Sequence, residues 1–194
     1  ITLASQSNLV SRLLNGAIFP DNSKFSDDKF PLHLFPPMGG VGFVYNHLLA
    51  RIAHNVNPYI YHFKGLKKTE EVSASFEDYI FSLSREIIAL NKHKVIHLLG
   101  YSFGGVLAFE TAKVLENAGF NVHLILIDSY PQQSFNAEED EKLGEIEIKN
   151  SVEVLRTILH TDTEDDFLKN YQAVLKHYNR LFSHYRQNDA KLKG

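Results

Sequence analysis

The chain has 194 residues, of which 44% are hydrophobic, and it carries a formal net charge of −3 at pH 7. A chain of this size and apolar content can bury one substantial core, while the slight negative charge argues against a broad nucleic-acid-binding surface. There is no cysteine, which excludes disulfides and thiolate chemistry, no ligand spacing that suggests a metal, and no apolar run of the roughly 18 residues that would span a membrane.

Strand-like and helix-like patterns alternate along the first two thirds of the chain. Residues 1–29 predict an irregular segment resembling a linker, with a weak helical pattern over 1–16, and one domain is expected over 30–194. The alternation predicts an α/β fold, a mostly parallel sheet covered by helices on both faces. Gly119 is placed to end the third helix. The predicted strands are 31–35, 58–63, 94–99 and 122–127, and the predicted helices are 43–55, 75–91 and 103–117.

The alternation stops after residue 131. Residues 132–144 are acidic and polar and predict a mobile loop, whereas 148–159 and 165–186 have amphipathic helical patterns with no strand between them. We interpret 132–182 as a helical lid inserted over the edge of the sheet. The alternative is a pair of helices that simply covers the sheet.

The most specific motif is Gly-Tyr-Ser-Phe-Gly at residues 100–104. A short apolar strand precedes it and an amphipathic helix follows it, which is the context of a nucleophile elbow. Small glycines on either side of the serine allow a tight turn that exposes its hydroxyl. Ser102 is therefore the predicted nucleophile, and an ordinary glycine-rich turn is the alternative.

A serine hydroxyl needs a base that a third group orients. Residues 124–127 predict a buried parallel strand, and Asp128 follows at its carboxyl end, where sites of open α/β sheets assemble. The order serine, then aspartate, is the order found in α/β-hydrolases. Asp128 is the predicted orienting acid, and a residue that caps the following turn is the alternative.

An oxyanion hole needs two backbone N–H donors. The amide of Phe103, directly after the serine, is the first candidate. Residues 36–42, Pro-Pro-Met-Gly-Gly-Val-Gly, follow the first predicted strand, and their glycines permit close approach to a ligand. The amide of Met38 is the predicted second donor.

Three separated blocks carry a family resemblance. Residues 35–42 with Tyr45, residues 100–105, and Leu-Ile-Asp-Ser-Tyr at 126–130 together resemble the thioesterase domains that end nonribosomal peptide synthetases, which have the α/β-hydrolase fold. The resemblance implies that Ser102 accepts the acyl group, that Asp128 is the acid, and that Met38 and Phe103 provide the oxyanion donors. It implies no cofactor, a cytoplasmic enzyme without a membrane or nucleic-acid partner, and a carrier-protein domain upstream that presents the substrate on its phosphopantetheine arm.

The chain departs from the family at the catalytic histidine. The family carries this residue in a loop near its C-terminus, and no such motif follows Asp128 here. His160, His177 and His184 are weak candidates for the base. We therefore expect the histidine beyond Gly194 and the last strands of the sheet to be missing from a truncated domain. A base from another segment and a degenerate enzyme remain open alternatives.

The predicted chemistry is acyl transfer. The resemblance implies a thioesterase that releases an acyl or peptidyl chain from a carrier through an acyl-enzyme at Ser102, by hydrolysis or by macrocyclisation. A stand-alone editing thioesterase or general serine esterase, and a non-catalytic domain that binds an acyl chain or carrier, are the alternatives. Without its histidine the chain is expected to be inactive alone.

Overall fold

The structure, a computed structural model, describes residues 26–52, 54–67, 70–129, 137–159, 166–183 and 185. These residues form one parallel sheet with the strand order β2-β1-β3-β4 and helices packed around it. The strands are β1 (Phe30–Phe35), β2 (Val56–Ile60), β3 (Val95–Tyr101) and β4 (Asn121–Ile127). The helices are α1 (Asn46–Ile52), α2 (Phe76–Leu90), α3 (Phe103–Asn117), α4 (Ala137–Leu159) and α5 (Asp166–Ser183), and a short 3-10 turn at Phe43–Tyr45 precedes α1.

The predicted alternation of strands and helices is confirmed up to the end of β4. The third helix has the predicted bounds, and Gly119 ends it with a φ of 86°. Two backbone hydrogen bonds close this end, from Phe120 N–H to the Leu115 carbonyl at 3.1 Å and from Gly119 N–H to the Glu116 carbonyl at 3.0 Å. This is the hydrogen-bond pattern of a glycine-terminated helix.

Two apolar cores lie on opposite faces of the sheet. The larger one packs α2, α3 and α5 against the sheet face that carries Phe35 and Leu98. The smaller one packs α1 against the face that carries Leu32 and Leu34. Alternate residues of β1 thus enter different cores, as the period of two in a strand requires.

The expectation that the fourth strand is buried is wrong. Ile125, Leu126 and Ile127 are 46%, 45% and 41% exposed. Among the described residues β4 pairs only with β3, so it forms an edge of the sheet, and its far side carries no neighbouring strand.

The expectation that 132–144 is a loop is wrong from residue 137 onward. Helix α4 begins at Ala137 and runs through Gly144 without interruption. Gly144 is buried against Asn179 of α5, and a Cβ atom at this position would collide with the Asn179 amide. The glycine therefore allows two helices to approach closely, whereas its place in an acidic sequence had suggested a loop.

Several predictions concern residues that the structure does not describe. They are the pattern over 1–16, residues 132–136, His160, His184 and the end of the chain from 186 to 194. In the part of the chain that is described, no helix combines the length and the apolar character that crossing a bilayer would require.

Candidate active site

Ser102 lies in a strained turn between β3 and α3. Its φ of 54° and ψ of −127° are unusual for a residue with a side chain. The Ser102 N–H donates to the Ile127 carbonyl at 2.9 Å, and the Ser102 carbonyl accepts from the Gly105 N–H at 2.9 Å. The surrounding backbone thus holds the serine at the tip of the strand-to-helix turn, as the sequence predicted.

Two glycines after the serine bring three segments of chain together. A Cβ atom on Gly104 would lie 2.5 Å from the carbonyl oxygen of Phe35, at the end of β1. A Cβ atom on Gly105 would collide with the side chain of Ser129, just after β4. The first turn of α3 can therefore touch both neighbouring strand ends only because neither position carries a side chain.

Asp128 follows β4 directly, and the residues on either side of it are hydrogen-bonded to the serine turn. Ile127 accepts from the Ser102 N–H, and the Ser129 hydroxyl lies 2.9 Å from the Ser102 carbonyl, to which it donates. Asp128 also has a positive φ, of 47°, and is exposed. The structure therefore brings Ser102 and Asp128 to the same edge of the sheet, on adjacent strand ends.

The two predicted oxyanion amides belong to the loop after β1 and to the first residue of α3. Phe103 is the first residue of α3, where backbone N–H groups have no partner within the helix. Met38 lies in the loop after β1, inside a turn that the Gly40 N–H closes on the Pro37 carbonyl at 2.8 Å. Within the described residues, neither the Met38 N–H nor the Phe103 N–H donates a backbone–backbone hydrogen bond, as their predicted role requires.

Tyr45 connects the two halves of this site, a role that the sequence did not reveal. Its buried hydroxyl donates to the Phe35 carbonyl at 2.6 Å and accepts from the Tyr101 N–H at 2.9 Å. Phe35 ends β1 before the glycine-rich loop, and Tyr101 precedes the serine. The only sequence signal was the position of Tyr45 shortly after the glycine-rich loop, and no pattern indicates its partners.

The described histidines are engaged elsewhere or lie apart from the serine. His177 donates to the Ser73 carbonyl at 2.7 Å, His62 pairs with Glu70 at 3.2 Å, and the ring of His33 is 2.8 Å from the Tyr61 hydroxyl. No hydrogen bond of a described histidine reaches Ser102 or Asp128. Among the described residues, neither the predicted nucleophile nor the predicted acid is therefore hydrogen-bonded to a histidine.

A serine at the tip of a strained strand-to-helix turn, with an acid after the next strand of a parallel sheet, defines the class of α/β-hydrolase enzymes. The profile of the family described as "Thioesterase domain" matches residues 30–193, and the chain belongs to this family of serine-hydrolase thioesterases.

Curated relatives of the chain are large peptide synthetases. The chain is 30% identical over 115 residues to the dimodular nonribosomal peptide synthase of Bacillus subtilis (strain 168), an alignment that covers 59% of the chain and 5% of that protein. It is 37% identical over 87 residues to the vanchrobactin synthetase VabF of Vibrio anguillarum, with 43% of the chain and 3% of that protein covered. The chain therefore spans only a small part of these relatives.

Solved structures share the fold. The thioesterase domain SrfTE, described as cyclising the lipopeptide antibiotic surfactin, is 25% identical, with a TM-score of 0.57 over 87% of the chain and 65% of that structure. The type II thioesterase BorB from the borrelidin biosynthetic cluster is 19% identical, with a TM-score of 0.65 over 89% and 72% of the two chains. The fold expectation is thereby confirmed.

Proposed function

We propose that this thioesterase domain releases an acyl or peptidyl chain from a carrier-bound phosphopantetheine thioester, through an acyl ester on Ser102. The observation that carries the proposal is the strained conformation of Ser102, held between the ends of β1 and β4. Strain of this kind is costly and persists where the surrounding structure imposes it, as at many active sites. The synthetase relatives indicate the substrate class.

The first step forms the acyl-enzyme. The Ser102 oxygen attacks the thioester carbonyl carbon, its proton passes to a base, and the carbonyl oxygen becomes an oxyanion between the Met38 and Phe103 amides. The carbon–sulfur bond then breaks, and the departing phosphopantetheine thiolate takes the proton from the base. In this proposal the base is a histidine outside the described residues, and Asp128 orients it.

The second step frees the product. Water, or an amine or hydroxyl of the bound chain, attacks the ester carbonyl while the base takes its proton. The carbon–oxygen bond to Ser102 breaks, and the proton returns to the serine. Water gives a linear acid and an internal nucleophile gives a macrocycle. The reaction needs no cofactor held by this chain, and its proposed partner is a carrier-protein domain, upstream in the same synthetase.

Ser102 is tested by covalent labelling of the full-length gene product. We expect a fluorophosphonate probe to add one adduct, which peptide mass spectrometry places on Ser102. Ser102→Ala should retain the fold, measured by circular dichroism, and lose about a million-fold in turnover of an acyl thioester, as nucleophile deletion does in other triads.

Ser84→Ala is the matched control, because its buried hydroxyl only donates to the Ile80 carbonyl of the same helix at 2.8 Å. This variant should label and turn over like the wild type. An adduct on Ser129, or turnover that survives Ser102→Ala, would refute the assignment.

A further inference from the structure

Helix α5 contacts both sides of the proposed oxyanion hole. Its buried face carries Tyr171, Leu175 and Phe182, which follow one another at helical spacing. Tyr171 and Leu175 contact the glycine-rich loop after β1, and Phe182 contacts the residue after the nucleophile. One rigid helix therefore bridges two segments that are far apart in the sequence.

The contact with the loop is a hydrogen bond from a buried tyrosine to a half-buried glycine. The Tyr171 hydroxyl donates to the Gly39 carbonyl at 2.6 Å, and the Tyr171 side chain is fully buried. Ser151 of α4 completes the contact, because it is hydrogen-bonded to Tyr171 and its hydroxyl would lie 3.0 Å from a Cβ atom on Gly39.

This hydrogen bond fixes the turn that carries Met38. Met38 and Gly39 are the two central residues of the turn from Pro37 to Gly40, and the Gly40 carbonyl accepts from the Phe63 N–H at 2.9 Å. The Gly39 carbonyl belongs to the same peptide group as the Gly40 N–H, and the Pro37 carbonyl belongs to the same peptide group as the Met38 N–H. The Tyr171 hydroxyl therefore holds the peptide that donates the closing hydrogen bond, and that bond in turn limits rotation of the peptide that carries the Met38 N–H.

The second contact lies at the other end of the helix. The rings of Phe182 and Phe103 are 4.1 Å apart between centroids and inclined by 31°. Phe103 carries the other proposed donor, and Phe182 is itself buried among Phe63, Phe76 and Tyr178. The start of α3 is therefore packed against the same helix that holds the loop.

We propose that α5 positions the oxyanion hole. Tyr171 and Phe182 are positioning residues that keep the Met38 and Phe103 N–H groups in fixed directions relative to each other. This inference rests on the proposed function, since it assigns positioning residues to the same site. Donors that are fixed before the reaction stabilise the developing negative charge without reorganisation.

The test compares two buried tyrosines of one helix in the full-length gene product. Tyr171→Phe removes the hydroxyl that contacts the loop. Tyr178→Phe removes the hydroxyl of an equally buried side chain, whose partners are Ser73 and the Lys64 backbone and not the loop. Loss of a whole oxyanion donor costs about 100- to 1,000-fold in kcat, and a donor that is only misdirected should cost less. We expect Tyr171→Phe to lower kcat roughly tenfold with KM unchanged within about twofold.

Hydrogen exchange gives a second readout that does not depend on turnover. Amides 38–42 should exchange faster in Tyr171→Phe than in the wild type, and at the wild-type rate in Tyr178→Phe. Equal losses of kcat in the two variants, or unchanged exchange in Tyr171→Phe, would overturn the inference. A wild-type protein without an adduct at Ser102 would instead refute the proposed function, and the exchange rates would then decide whether Tyr171 orders the loop.

Discussion

At the scale of single residues, the site is marked by two neighbouring departures from ordinary backbone geometry. Ser102 and Asp128 both have a positive φ, and they lie after the paired ends of β3 and β4. Each such conformation costs on the order of 1–3 kcal/mol and is retained only where its surroundings impose it. The hydrogen bonds from Ser102 to Ile127 and from Ser129 to Ser102 show that Ser102 is held by both neighbours of Asp128.

Asp128→Asn tests the acid at this scale. An asparagine keeps the size of the side chain but cannot stabilise a positively charged imidazole, so turnover should fall on the order of ten-thousand-fold while the fold is retained. Steady-state hydrolysis of an acyl thioester by the full-length gene product measures the loss.

The matched control is Asp27→Asn. Asp27 is exposed and lies just before β1, at the amino end of that strand, whereas Asp128 follows the carboxyl end of β4. This variant should keep the wild-type rate. Wild-type turnover in Asp128→Asn would count against the orienting role, and loss of wild-type activity on adding a chelator would point to metal chemistry instead.

At the scale of elements, the two helices after β4 differ in how they are held. Helix α5 buries Tyr171, Tyr178 and Phe182, and Asn170 and His177 hydrogen-bond to the carbonyls of Gly65 and Ser73. Helix α4 buries Ile148, Val152 and Leu155 along one face, whereas Leu143 and Ile146 nearer its start are 62% and 58% exposed. We therefore propose that the moving part of the predicted lid is the first half of α4, while α5 stays on the sheet.

Hydrogen exchange tests this division. Amides 142–147 should exchange faster than those of 168–182, because between residues 142 and 147 only Gly144 is buried, against Asn179 of α5, and one close contact opposes local opening weakly. Mass spectrometry of peptic peptides resolves the two segments in one experiment.

Strand β3 serves as the slowly exchanging reference, and Gly144→Ala as the perturbing variant. The added methyl would collide with Asn179 of α5, so it should accelerate exchange chiefly in 142–147 and, within α5, only around the point of contact. Equal protection of both helices would favour a fixed cover over a lid.

At the scale of the whole molecule, a buried histidine makes the free energy of unfolding depend on pH. His33 is fully buried in β1, stacked on Tyr59 with ring centroids 5.0 Å apart, and within 2.8 Å of the Tyr61 hydroxyl. Burial, together with the nearby charge of His97, lowers the pKa of His33 to about 3. The folded protein therefore keeps His33 neutral at pH values where the unfolded chain protonates it.

The free energy of unfolding should consequently fall with pH below about 6.5. Between the unfolded pKa of about 6.5 and the folded pKa of about 3, the unfolded state binds one more proton at this residue. This proton contributes a slope of about 1.4 kcal/mol per pH unit, so that stability is lost as the pH falls. Urea unfolding of the protein between pH 4.5 and 7.5 measures the slope.

His33→Phe should flatten this dependence, because phenylalanine keeps the stacking on Tyr59 and cannot take up a proton. His93→Gln is the control, since His93 is exposed before β3 and its loss should leave the slope unchanged. A wild-type slope in His33→Phe would show that other groups govern the acid sensitivity.

The sequence by itself determined the features that depend on local order along the chain. The alternation of apolar runs and amphipathic segments predicted the parallel sheet, and glycines around Ser102 predicted a tight turn, because these properties follow from backbone sterics and the burial of apolar faces. The position of Asp128 at the same edge followed from the direction that parallel strands share. The family resemblance rested on residues 35–42 with Tyr45, 100–105 and 126–130, and the family match over residues 30–193 confirms it.

Tertiary structure alone decided which distant groups meet. The sequence predicted a loop at Gly144, whereas Asn179 occupies the space beside it in a helix pair. It predicted a buried β4, whereas in the described part of the chain this strand pairs only with β3 and Ile125–Ile127 are exposed. Tyr45 and Tyr171 donate to carbonyls, and every residue offers a carbonyl, so no sequence pattern could specify their partners. These hydrogen bonds join residues whose distance in space is fixed only when the strands and helices pack together.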